Sequence, residues 1–103
     1  MPPNWQLIPI GTNVTLIFPS NKNRIELAIQ NVSSPAIYWD HSPSVTLGSG
    51  GQLLPYQTVI LTETDGDLVH EPIYGIADDV DSSARIYEVT GQTVSWKKLL
   101  EMR

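Results

Sequence analysis

Two stretches of this chain gather carboxylates closely enough to interest a hard cation. Glu63-Thr64-Asp65-Gly66-Asp67 sets three at alternate positions, and Asp78-Asp79-Val80-Asp81 sets three within one short loop. Ca²⁺ takes about six to eight oxygens, which clustered acids supply. The twelve-residue calcium-loop pattern is missing, however, and Asp-Gly is a strong hairpin-turn signal. Both stretches therefore read as turns. His41 and His70 have no third ligand at a zinc-like spacing, and the chain has no cysteine. No serine occupies a Gly-x-Ser-x-Gly elbow, since Ser49 lies in Gly48-Ser49-Gly50 without a strand-to-helix context. The glycines at 48, 50 and 51 are not followed by the Lys-Ser/Thr and helix of a phosphate loop. The expectation is a protein that is not an enzyme and has no cofactor and no metal site.

Aromatic side chains are the stronger signal. Trp5, Trp39 and Trp96 accompany Tyr38, Tyr56, Tyr74 and Tyr87. Such rings fill cores, anchor protein interfaces or stack on sugars. For Trp39, core and interface readings stand side by side. Trp5 and Trp96 lie on terminal segments, where an intrachain core is less available, and point to an interface.

The elements that position these groups are short. Eight prolines and seven glycines interrupt the 103 residues too often for ordinary helices. Residues 24–30 alternate apolar and polar: Ile25, Leu27 and Ile29 on one face, Arg24, Glu26 and Gln30 on the other, with Ala28 between them. With 36–39 they suggest a hairpin across Asn31-Val32-Ser33-Ser34-Pro35. Residues 14–18, 58–62, 73–77 and 84–90 are further strands, and the glycines from 48 to 51 mark a loop. Only 95–103 suggests a helix, with Trp96, Leu99 and Leu100 on one face. The expected fold is all-β: an antiparallel sandwich of jelly-roll type over 12–103, with 1–11 as an extended N-terminal arm.

Charge narrows the partners. Net charge is −5, which argues against nucleic acid. No apolar run reaches the roughly 18–20 residues of a membrane span, and Met1-Pro2-Pro3-Asn4-Trp5 lacks the basic start and apolar run of a signal peptide. No Lys or Arg occurs between Arg24 and Arg85, an interval holding nine acids. This segregation suits oriented contacts between copies or with a partner.

Arg24-Ile25-Glu26-Leu27-Ala28-Ile29-Gln30-Asn31 followed by Ile37-Tyr38 resembles a hairpin common in small virion proteins of tailed bacteriophages. Gly51-Gln52-Leu53-Leu54-Pro55, then Ile73-Tyr74-Gly75-Ile76-Ala77 and Ala84-Arg85-Ile86-Tyr87-Glu88-Val89, continue the similarity over roughly residues 24–90. Gly75 stands where a small apolar residue is usual. The resemblance implies a capsid decoration, or cement, protein on the outer surface of the virion, made in the host bacterial cytoplasm. Its partner would be the major capsid protein, its state a homotrimer, and neither nucleic acid nor membrane would be bound. The expected interface residues are Trp5, Leu7, Ile8, Ile10, Tyr38, Trp39 and Trp96. A head-fibre, neck or tail component is the nearest alternative. A carbohydrate-binding module using Tyr38, Trp39 and Tyr56 is one of another class, and a small hydrolase is a third.

Overall fold

The computed structural model describes residues 5–91. Their eight strands are β1 (Gln6–Pro9), β2 (Thr15–Phe18), β3 (Arg24–Asn31), β4 (Ile37–Asp40), β5 (Gly51–Leu53), β6 (Thr58–Thr62), β7 (Ile73–Ala77) and β8 (Ser83–Thr90). They form two antiparallel sheets ordered β1-β8-β3-β6 and β2-β7-β4-β5. This alternation between two four-stranded sheets is the jelly roll. Among the described residues there is no helix. The helix expected over 95–103 lies outside them.

The core follows from period two. Leu27, Ile29, Ala84 and Ile86 of the first sheet meet Ile17, Phe18, Ile37, Leu53, Ile73 and Ala77 of the second, with Ile8, Trp39, Val59 and Leu61 packed at the margins. Each strand must turn one face inward because full burial of such a side chain is worth about 1.5–3 kcal/mol.

The hairpin expected from 24–30 and 36–39 does not form. β3 pairs with β6 and β8, whereas β4 pairs with β5 and β7. Local turn signals cannot tell a return within one sheet from a crossing to the other. The crossing is held by Asn31, which is fully buried. Its Nδ2 donates to the carbonyls of Pro35 (2.8 Å) and Leu53 (2.9 Å), and its Oδ1 accepts from Ser33 N–H (2.9 Å) and Ser33 Oγ (2.8 Å).

The arm expected over 1–11 is corrected over the residues that pair, and its first four residues lie outside the described ones. Gln6–Pro9 is an edge strand of the molecule's own sheet, in register with β8 from Gln6 opposite Ile86 to Pro9 opposite Ser83. Ile10 N–H donates to Ser82 O at 2.9 Å. Ladder bonds alternate, so the Pro9 nitrogen faces away from β8, where its missing donor loses no ladder bond.

Arg24 departs from the simple alternation as well. The β3–β8 register shifts between Arg24 and Glu26, a bulge that turns Arg24 to the buried side. There the guanidinium is fully enclosed. Nε donates to Val69 O at 2.8 Å, Nη1 to Pro19 O at 2.9 Å, and Nη2 to Pro19 O and Glu71 O, both at 3.0 Å. Nη1 also meets Glu88 Oε2 at 3.1 Å, and the group lies 5.1 Å from the Phe18 ring centre. One side chain thus ties the β2–β3 and β6–β7 loops to β8.

Candidate functional site

Alternation leaves each sheet an outer face. On the first sheet the register aligns Leu7, Arg85, Gln30 and Thr58 in one row. The next row runs through Tyr87, Ala28 and Ile60, and Val89, Glu26 and Thr62 make a third. Trp5 extends the middle row, its ring edge-on to Tyr87 with centroids 4.7 Å apart. An apolar stripe therefore crosses the four strands. Leu7 is 68% exposed and Ile60 52%, whereas Ala28 is fully covered.

Polar groups flank the stripe. The Arg85 guanidinium lies over the Trp5 ring, 5.0 Å from its centre, within cation–π range. Tyr87 O–H donates to Glu26 Oε2 at 2.8 Å. Burial of the phenol pushes its pKa up, and the hydrogen bond to Glu26 and that carboxylate's charge push the same way.

The second sheet's outer face carries Leu16, Tyr74 and Asp40 in one row and Ile76, Tyr38 and Gln52 in the next. Leu16 is exposed and Tyr38, Tyr74 and Ile76 are half-buried. Gln52 Nε2 donates to the Tyr38 hydroxyl at 3.1 Å.

The expected interface residues are thus distributed rather than gathered. Trp5 and Leu7 lie on the first outer face and Tyr38 on the opposite one. Ile8 packs against the core and Ile10 is fully buried, so Ile10 is not a surface residue of this fold. Once 6–9 pair with β8, the alternate side chains of that strand must enter the sandwich. Trp39 also turns inward, in register with Gly75 on one side and Gly51 on the other. A Cβ at Gly51 would overlap the indole, so the glycine makes room for the ring. Trp96 lies outside the described residues. The sugar-binding set is dispersed, since Tyr38 and Trp39 point to opposite faces of one strand and Tyr56 sits in the β5–β6 loop at φ 63°. Arg85, Tyr87 and Ile60 are on the first outer face without being among the interface residues expected from the sequence. The alternation of Arg85, Tyr87 and Val89 against Ala84 and Ile86 was the signal for the first two.

The acidic stretches serve their own loops. Thr62 N–H donates to Asp67 Oδ2 at 3.0 Å and Asp67 N–H to Thr62 O at 3.2 Å, while Thr62 Oγ1 donates to Asp65 Oδ2 at 2.8 Å. Gly66 takes the left-handed conformation this turn requires, φ 78°. Asp79 Oδ1 accepts from Asp81 N–H at 2.9 Å. His70 pairs with Glu63 at 3.1 Å, and His41 Nδ1 lies 3.1 Å from Pro72 O. Among the described residues no three His, Asp or Glu side chains are grouped as cation ligands. A cleft of about 360 Å³ opens between the sheets, with Gln6, Ile86 and Glu88 on one wall and Ile17, Phe18 and Pro19 on the other.

No protein-family model, no curated protein and no solved structure matches this chain.

Proposed function

We propose that this protein is a structural component of a tailed-bacteriophage virion, decorating the outer capsid surface and cementing contacts between capsomers, with the major capsid protein as partner. One observation carries the reading: the sandwich presents apolar and aromatic side chains on both outer faces. Trp5, Leu7, Tyr87 and Ile60 lie on one, and Leu16, Tyr74, Ile76 and Tyr38 on the other. A cementing protein must grip at least two neighbours, and two opposed adhesive faces provide for that. Aromatic side chains are also the type enriched where protein interfaces concentrate their energy. Jelly rolls serve viral capsids, lectins and cupins alike, so the fold is consistent with the reading without selecting it. Binding only to the assembled shell would stabilise that shell by mass action.

The test is the copy number and position of the chain in purified particles, by quantitative mass spectrometry and electron cryomicroscopy. Hundreds of copies over capsomer junctions are expected. Six or twelve copies at one vertex would assign it to the neck or tail instead. Absence from particles together with retention on a glycan column would replace the proposal with the carbohydrate-binding alternative.

A further inference from the structure

The two outer faces differ in charge. The described residues hold ten acidic side chains against Lys22, Arg24 and Arg85. Arg24 is enclosed by its carbonyls and Glu88, and Lys22 lies in the β2–β3 loop. Arg85 is therefore the cation of the two outer faces among the described residues. It sits opposite Leu7, 68% exposed, two residues after Ser83, where β8 begins.

That loop has the complementary character. Val80 is 70% exposed at its tip, between Asp78 and Asp79 on one side and Asp81 on the other. An apolar tip among carboxylates matches an apolar patch with a guanidinium. Within one molecule the loop's carboxylates make no ion pair with Arg85 among the described residues, and the guanidinium lies over the Trp5 ring instead. A second copy has no such restriction.

We infer that copies of this chain associate head to tail, the Asp78–Asp81 loop of one laid on the Leu7–Arg85 patch of the next, with Val80 against Leu7 and Trp5. The partner is a second copy because charge and apolarity complement each other between two surfaces of the same chain. The contact joins unlike surfaces, so it builds a ring where the rotation closes and an open filament where it does not, rather than a two-fold dimer. A three-membered ring would be the homotrimer that the resemblance implies. The inference deepens the proposed function: the first outer face grips a neighbouring copy and the second grips the shell, so that linked copies together bridge adjacent capsomers.

The experiment is sedimentation velocity on the full chain and charge-reversed variants, with circular dichroism verifying the fold of each. Wild type is expected to form a closed oligomer larger than a dimer. Arg85→Glu alone and Asp78→Arg with Asp81→Arg should each weaken association about tenfold or more, and all three in one chain should restore it to within about threefold. Leu7→Ser, an exposed substitution that leaves the core intact, should weaken it too. A wild type that stays monomeric at millimolar concentration, a two-fold dimer, or reversals that do not rescue one another would overturn the inference. Those outcomes leave particle occupancy untouched, so the virion role is judged separately by copy number.

Discussion

Replacing Arg24 with alanine should be among the most damaging single changes in this protein. The guanidinium makes four hydrogen bonds to the carbonyls of Pro19, Val69 and Glu71 and one to Glu88. Removing it leaves three carbonyls without that donor, at about 1 kcal/mol each. Loss of the contact with Phe18 and the resulting void add about 1 kcal/mol more. The sum is about 4 kcal/mol. It is a large part of the roughly 5–15 kcal/mol that holds such a domain together. In urea, with a slope of about 1.3 kcal/mol per molar, the midpoint should fall by about 3 M at unchanged slope, followed by tryptophan fluorescence. Arg24→Lys should recover about half, because an ammonium cannot fan its donors across three carbonyls. Glu88→Gln should cost less than about 1 kcal/mol, since that carboxylate is 40% exposed and the amide oxygen still accepts. If Glu88→Gln proves as damaging as Arg24→Ala, the ion pair rather than the carbonyl clamp supplies the stability, and the argument fails.

Gly51→Ala should displace the Trp39 indole and destabilise by about 1–3 kcal/mol, with a shifted emission maximum, whereas Gly11→Ala, which meets no atom within 4 Å, should fold normally. Tyr87 is held neutral in the folded state, so its contribution is present below pH 10, the ordinary tyrosine value, and fades as pH rises through its raised pKa. Ultraviolet titration should show one tyrosine ionising late, and Tyr87→Phe should remove that component. Asp67→Ala should uncover the outward N–H of Thr62 on the β6 edge, costing about 1 kcal/mol and advancing the onset of light scattering on heating.

Strand positions were legible because alternation and breakers act locally. Residues 58–62 and 73–77 coincide with β6 and β7, and 84–90 falls within β8. β5 escaped because Gly51 reads as loop, yet its small size admits it beside Trp39. The pairing partners were not legible. Asn31 resembles a turn residue whether the chain returns or crosses, and what commits it to crossing is a hydrogen bond to Leu53, twenty-two residues away. The Arg24 bulge was hidden for a similar reason, since its direction depends on the carbonyls of Val69 and Glu71 in the distant β6–β7 loop. For the interface, residue type pointed to Trp5 and Leu7, and the exposed face they share became visible only with the β1–β8 register.

The place of β7 and β8 in the two sheets has a consequence for how the chain is made. β8 is the strand that joins β1 to β3, and β7 is the one that joins β2 to β4. Until residue 73 emerges from the ribosome, the pairings open to the nascent polypeptide are β4 with β5 and β3 with β6. β1 and β2, translated first, wait for partners translated near the end. A growing chain of this topology cannot build its structure from the N-terminus onward, and both sheets close in one late step. Ribosome-stalled chains ending at residue 72 should therefore remain protease-sensitive throughout, while those carrying residue 91 clear of the exit tunnel should become protected all at once.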